Sequence, residues 1–542
     1  MDRKSILGFI MIALVIILYP WYMNMVSPID KTAPLDNYED QIVLYDKKDQ
    51  ANKINKTTSP INKNNNTSKD VLVESPYYNI IINNKNGGSF IKYQLLEYSR
   101  YDSALVNMID SQSIDNLIIN FISMDGENIS LNDYWQLIND KTKVTIGSRE
   151  ETLEFQTTFN GKKIKKIFTF YPDSYKVGLN VLFDDPTEII SRGQFSLSWN
   201  GGLLPTEKNI KTDFQEFRAY AYLGDELLGS RLKKDKLNQD NQTGSTAWTA
   251  IRTKYFITSF IPKIPGIGAK ISGKYIGDRP AYNMEIFHSL MNDSYFDLYI
   301  GPLDYNKIKS LNVGLENAMS LGWKFIRPIG RLITWTLKNM YSFIPNYGIV
   351  VILFAILIKI LLNPLTVRQF KSTKKMQEIQ PKLQKIKEKY KNDTQKLSKA
   401  QMQLFKDAGY NPASSCLPLF LQMPILFAVF TVFRTTIDFR GAPFFGWITD
   451  LSVPDTLFSI GGLPINILPF FMGATMFLQQ KMMSPNSSDP QQKTMMYAMN
   501  GVFLILFYTF PSGLNLYYSV FNLLSIAQQK YMGVGKVNLS NN

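Results

Sequence analysis

Residues 347–366 read YGIVVILFAILIKILLNPLT. The chain is uncharged from Asn339 to Ile358, carries Lys359, and is uncharged again to Leu365. A helix starting near Tyr347 puts Lys359 about twelve residues in, close to the middle of a span of about 20 residues. A charge near the bilayer centre costs roughly 2.5–3.5 kcal/mol on insertion scales. Two readings stay open. The ammonium snorkels to headgroups about six residues further on, or it faces a hydrated cavity. Other apolar stretches carry Gln422, Thr475, Asn515, Tyr518, Ser519 and Asn522. Each alone also serves as interhelical glue. Together with Lys359 they wet one wall of a groove.

Four more uncharged runs have spanning length. They are Ser5–Ile29, Ala408–Phe433, Thr456–Gln480 and Thr494–Gln529, the last with Pro511-Ser512-Gly513 in its middle. Pro-Ser-Gly is a turn signal, so that run reads as two helices in a hairpin. Six spanning helices follow, at 5–24, 347–366, 416–434, 464–481, 495–510 and 514–530. The last two have only 17 and 16 uncharged residues, Thr494–Phe510 and Leu514–Gln529. At 1.5 Å per residue, the shorter reaches about 24 Å against a hydrocarbon core of about 30 Å. Local thinning of the bilayer is the expected response.

Charge orients these spans. Residues 366–415 hold 12 Lys/Arg and four acids, a balance of +8 that belongs in the cytoplasm. Residues 435–463 hold one basic residue, Arg440, and three acids, which suits the outside. Arg3 and Lys4 favour a cytoplasmic N-terminus. The first run also raises the reading of a cleaved signal peptide, but Tyr19-Pro20-Trp21-Tyr22-Met23 lacks the small residues of a cleavage site, which favours an uncleaved anchor. With both termini inside, all six spans alternate, and residues 25–345 lie outside.

That outer part differs in composition from the rest. Residues 46–70 are polar, lack aromatics and read as a flexible tether within a linker at 30–70. Beyond Val71, short β-branched and aromatic segments recur at Tyr78–Ile82, Leu153–Phe159, Lys166–Tyr171, Val177–Phe183 and Gln194–Trp199, separated by turn residues. This is the pattern of an all-β sandwich over residues 71–316. In 317–345, Lys324, Arg327, Arg331 and Lys338 share one helical face, and Ile326, Ile329, Ile333, Leu337 and Met340 another. An amphipathic helix on the outer membrane surface is expected. A helix packed on the β-domain is the alternative.

The basic loop carries Met376, Ile379, Leu383, Ile386 and Tyr390, then Leu397, Ala400, Leu404 and Ala408, at helical spacing around Asn392-Asp393. It reads as a helical hairpin at 370–410. Its charge suits either a solvated surface or a platform for anionic phospholipids or ribosomal RNA.

Composition narrows the chemistry. In 542 residues with 59 Lys+Arg against 45 Asp+Glu, there is one cysteine, Cys416, and one histidine, His288. No intramolecular disulfide is available. A zinc site is disfavoured. A Ser-His-Asp triad is excluded anywhere but around His288. Asp213 and Glu216 have no base at a telling spacing, and no Walker-type loop is present. No catalytic residue, cofactor or metal is expected.

These residues carry a recognisable pattern. Gly301-Pro302-Leu303-Asp304-Tyr305, Asn363-Pro364-Leu365-Thr366, Met376 to Pro381, Asn411-Pro412 and Cys416-Leu417-Pro418 belong to it, as do Leu421-Gln422-Met423-Pro424-Ile425, and Phe510-Pro511-Ser512-Gly513-Leu514 with Tyr517-Tyr518. The chain resembles the YidC-type membrane protein insertases in their long Gram-negative form. The resemblance implies an α-helical polytopic inner-membrane protein with a five-helix core at 346–533, an N-terminal anchor at 1–29 and a periplasmic β-supersandwich. A short cytoplasmic tail follows at 534–542. It implies insertion and chaperoning of membrane proteins, alone or with the Sec translocon, through a positively charged hydrophilic groove. Nascent membrane-protein clients, the Sec translocon, the ribosome in transient contact and anionic phospholipids are the implied partners; DNA is not among them. The family's groove usually carries an arginine where this chain has Lys359. Lysine keeps the charge and loses the planar fork. The family's periplasmic domain resembles sugar-binding folds, which assigns no ligand. Two other classes stand beside this one. A small-solute transporter would show two homologous halves, and a tethered enzyme would show a convergent catalytic group; neither is visible in the sequence.

Overall fold

The computed structural model describes residues 67–534, apart from 110–113, 231, 233–237, 292–293, 320–321, 323–324, 392, 411, 462 and 484–489. At 238–239, 412–422, 490–493 and 495 only the backbone is described. The anchor expected at 5–24 and nearly all of the linker expected at 30–70 lie outside the described residues. The rest forms two compact units, 67–319 and 322–534.

The first unit is built from strands. A five-stranded sheet runs Leu105–Asn107, Ser89–Ser99, Tyr78–Asn83, Asp70–Glu74, Lys143–Thr145. A larger, 14-stranded sheet has at its centre Gly266–Ile276, Asn238–Arg252, Phe256–Pro262, Tyr295–Pro302 and Lys176–Phe183, with Lys162–Phe170 and Glu151–Phe159 following. Each strand expected from the sequence forms in one of the two sheets, Gln194–Trp199 within Ile190–Asn200, except that Tyr171 falls outside Lys162–Phe170. Period-2 alternation sends one face of each strand inward. Ile164, Lys166, Phe168 and Phe170 are the inward residues of Lys162–Phe170. Aromatic side chains then join the two sheets, Phe90 to Phe168 at 5.9 Å and Tyr98 to Phe256 at 5.5 Å. Each fully buried aromatic of this kind adds about 1.5–3 kcal/mol of transfer free energy.

One inward residue is charged. Lys166 is fully buried; its Nζ donates to Asn86 O at 2.6 Å and to Leu117 O, and lies 5.3 Å from the Trp135 ring centre. Burial pushes this ammonium down to about 7 from 10.5. Between those values the unfolded chain holds a proton that the folded chain lacks. Stability contributed here therefore rises with pH through that window, by at most about 1.4 kcal/mol per pH unit. Thermal melting of the full chain, followed by loss of β-sheet circular dichroism, should climb from pH 7 to 9. Lys166→Met should flatten that climb; an unchanged slope would refute the assignment.

The carboxylates singled out in the sequence are structural. Asp213 is fully buried and accepts from the backbone N–H groups of Thr206, Glu207 and Lys254 at 2.8, 3.3 and 3.2 Å. Burial raises it to about 6. Glu216 pairs with buried Arg252 at 3.3 Å. His288 is a core side chain between the rings of Phe195 and Phe296, with Nδ1 3.0 Å from Ser289 O.

The second unit is helical among its described residues, apart from one small two-stranded sheet. The helices are α1 (Arg327–Phe343), α2 (Tyr347–Leu361), α3 (Asn363–Lys389), α4 (Thr394–Asp407), α5 (Pro412–Thr435), α6 (Ile467–Met483), α7 (Pro490–Tyr508) and α8 (Ser512–Tyr531). Several expectations change here. The helix expected to reach residue 366 ends at Leu361, and α3 restarts after a 65° bend. Pro364 accounts for this: it lacks an N–H and its ring clashes inside a helix, so it sits in a new first turn. The helix expected from 464 begins at Ile467, because residues 456–466 form a hairpin of strands. The last two helices are longer than their uncharged runs, 19 and 20 residues, because polar ends join them. At about 1.5 Å per residue they reach roughly 28–30 Å in all, but hydrophobic mismatch is set by the uncharged stretches within them, which stay short of a core of about 30 Å.

The six-span expectation is likewise not carried by these helices taken singly. Among the described residues no single helix is long and apolar enough to cross a membrane. The bent pair α2 and α3 passes that test together.

α1, expected at the membrane surface, packs against α5 and α2, with Ile333 and Leu337 of its apolar face buried. A second stripe, Leu332, Trp335 and Phe343, is exposed. Lys338 turns to Asp438 at 3.5 Å.

Candidate functional site: a buried lysine on a polar helix stripe

The site begins with α2 and α8, which pack side by side. Lys359 stands two residues from the end of α2 and is only 8 % exposed. Its Nζ donates to Ser525 Oγ at 2.7 Å, and that hydroxyl donates to Phe521 O at 2.8 Å. The rings of Phe521 and Phe370 lie 5.0 and 5.7 Å from Nζ, within cation–π range. No carboxylate lies within ion-pair distance among the described residues. An ammonium has three donors, and one is used here. The head thus turns toward α8.

Ser525 belongs to a longer pattern. Asn515, Ser519, Asn522, Ser525 and Gln529 are spaced 4, 3, 3 and 4, which is one face of α8. All five are buried, from 0 % exposed at Asn515 and Gln529 to 9 % at Asn522. At 1.5 Å per residue the stripe is about 21 Å long. Its side chains bond to backbone carbonyls and to side chains of neighbouring helices. Ser519 Oγ donates to Asn515 O at 2.7 Å, and Asn522 Nδ2 donates to Thr475 Oγ1 of α6 at 3.3 Å. Thr475 Oγ1 in turn donates to Met472 O. Asn515 Nδ2 reaches Phe507 O at 3.2 Å. Asn515 Oδ1, Tyr518 OH and both amide atoms of Gln529 are buried without a hydrogen-bond partner among the described residues. Buried polar groups are normally paired, and those that are not are candidate contacts for water or ligand.

Of the residues expected in a groove, Lys359, Thr475, Asn515, Ser519 and Asn522 come together on or against this stripe. Tyr518 is on its flank, edge-on to Phe507 at 5.3 Å. Gln422 lies in α5, in the part described by backbone alone. Sequence reading missed Ser525 and Gln529. The signal was present: the 3–4 spacing that joins Asn515, Ser519 and Asn522 continues through both. It also missed Asn363, Thr366 and Gln528. Gln528 Nε2 donates to Asn363 Oδ1 at 2.6 Å and to Thr366 Oγ1 at 3.2 Å, tying the bend between α2 and α3 to the end of α8.

At the other end, a loop closes the helices. Asp455 Oδ2 accepts from the backbone of Ile467 and Leu468 at 3.0 and 2.7 Å and from Trp447 Nε1 at 3.1 Å, capping α6. Gly348 lets this loop approach α2, since a Cβ there would lie 1.9 Å from the Phe444 ring. Ser512 and Gly513, of the Pro-Ser-Gly turn, donate backbone bonds to Val453 O and Leu451 O at 2.8 and 3.0 Å.

Residues 339–537 match the family model of the 60Kd inner membrane protein, and residues 70–336 that of the YidC periplasmic domain. A Chlorobium limicola protein described as membrane protein insertase YidC is 33% identical over 562 residues, covering 98% of this chain and 94% of that one. A Pelodictyon phaeoclathratiforme protein of the same description is 37% identical over 431 residues, covering 76% and 74%. The chain belongs to the YidC family. A crystal structure of an active YidC insertase with its first transmembrane domain resolved is also similar, at 17% identity and a TM-score of 0.38, covering 86% of this chain and 93% of that one. Within the YidC assignment, the strand-built unit is the periplasmic domain, and Lys359 and the α8 stripe belong to the part matched by the inner-membrane model.

Proposed function

We propose that the chain is an insertase and folding chaperone for inner-membrane proteins, acting alone or with the Sec translocon. Its working surface is a hydrophilic, positively charged groove formed by Lys359, Ser525 and the α8 stripe, with Thr475 and Tyr518 at its edges and Gln422 on α5. The observation that carries this is the Lys359 ammonium, turned inward to Ser525 with no counter-ion among the described residues. An ionisable group held inside a membrane core marks a path for polar cargo. The unpartnered atoms of Asn515, Tyr518 and Gln529 support the same reading, because a hydrated groove would satisfy them. Such a site lowers the barrier for a polar segment by solvation and charge, with no covalent step and no cofactor. The basic helices α3 and α4 face the cytoplasm with both termini, near anionic phospholipids and the ribosome, while the β-domain is periplasmic.

Depletion of the protein in cells, followed by protease mapping of newly made single-span proteins, tests the reading. Loss of protection for a subset of clients is expected. Normal insertion of every client would overturn it.

A further inference from the structure

The strands Thr456–Ile460 and Leu463–Asn466 pair only with each other, so both outer edges are free among the described residues. The register sets Phe458 opposite Ile465 and Ile460 opposite Leu463, and opposed side chains share a face. One face therefore carries Phe458, Ile460, Leu463 and Ile465. Among the described residues it is largely uncovered: Phe458 is 49 % exposed, Ile460 63 % and Leu463 71 %, with Ile465 half-buried. A lone two-stranded hairpin is marginal in water, and an apolar one is an aggregation hazard. This one is nevertheless built on a firm base. Thr456 Oγ1 donates to Asn466 Oδ1 at 2.7 Å, Asn466 Nδ2 to Tyr508 O at 2.8 Å, and Tyr508 OH to Pro464 O. Gly461, at φ +56°, makes the turn.

Two observations identify what covers the face. No charge occurs between Asp455 and Lys481, so the hairpin and α6 form one uncharged segment. The exposed apolar surface also continues from the hairpin onto the first turn of α6, where Phe470 and Phe471 are 50 % and 47 % exposed. We propose that this hairpin is a lipid-seated arm, its apolar face in the outer leaflet of the membrane that holds the core. The free edges set its depth. Unpaired N–H and C=O groups are intolerable in hydrocarbon, so the arm lies at the headgroup–acyl boundary, about 5–10 Å in. Pro464 removes one of the edge donors. The arm anchors α6 and α7 at the outer surface. The inference rests on the membrane placement of the core, not on the groove.

The test uses the full chain with Cys416→Ser and a single cysteine at Leu463, carrying a nitroxide, in phosphatidylethanolamine–phosphatidylglycerol vesicles. The expected result is higher accessibility to oxygen than to a water-soluble nickel chelate, with the reverse for a label at Lys391. Ile460→Cys repeats the reading if the first variant does not assemble. A label as open to nickel as Lys391 would overturn the proposal. Protection from both reagents would also overturn it, in favour of a protein occupant. Neither readout involves client insertion, so failure here leaves the proposed function standing.

Discussion

Lys359→Ala is expected to slow insertion of clients with acidic translocated segments by tenfold or more and to spare neutral ones. A tenfold change corresponds to about 1.4 kcal/mol. Two unit charges at 4 Å interact by about 4 kcal/mol at an effective dielectric of about 20, so the attraction is large enough even after losses to hydration. The geometry leaves it available, since Lys359 spends one donor on Ser525 and none on a carboxylate. Lys359→Arg should retain function, because the charge stays and the observed contact is to a single hydroxyl rather than to a planar fork partner. Lys359→Glu should be worst for acidic clients, as attraction becomes repulsion. Pulse-chase insertion of one client carrying zero, one or two acidic residues measures this. Equal rates across that series in wild type and Lys359→Ala would sink the electrostatic role.

A second large effect is expected in the periplasmic domain. Arg252 is 1 % exposed, and its guanidinium is shared among Thr253 O at 2.9 Å, Ala318 O at 2.9 Å and Glu216 at 3.3 Å. Glu216→Ala would leave that charge buried without a counter-ion. Removing one partner of a buried pair costs about 3–5 kcal/mol, a large part of a typical domain's 5–15 kcal/mol. Glu216→Gln, which keeps an acceptor, should cost less. The urea midpoint of the β unit, followed by tryptophan fluorescence, reads both. A loss under about 1 kcal/mol for Glu216→Ala would mean that the carbonyls alone satisfy Arg252.

The sequence by itself determined what depends on local pattern. Period-2 runs such as Leu153–Phe159 and Val177–Phe183 became strands, because alternation is a property of the strand itself. Among the described residues the late uncharged stretches became helices except at the Thr456–Asn466 hairpin, and the chain turns between α7 and α8 at Pro511, with Ser512 and Gly513 opening α8. Lys359 was legible as the residue to explain, since a charge in an apolar run is conspicuous without any partner in view.

Tertiary structure decided what depends on partners distant in sequence. Ser525 lies 166 residues from Lys359, and nothing local to either marks the contact. The inward face of α1 is set by packing on α5; its amphipathic pattern fits a membrane surface equally well. Thr456–Asn466 reads as part of a spanning run, because hydropathy does not separate a hairpin from a helix. The base bonds from Asn466 to Tyr508 and from Asp455 to the start of α6 separate them. Lys166 falls in the strand expected at Lys166–Tyr171, and its charge gives no sign of a core residue. Its place in the alternation turns it inward, and only the carbonyls of Asn86 and Leu117, brought from other parts of the chain, make that burial tolerable.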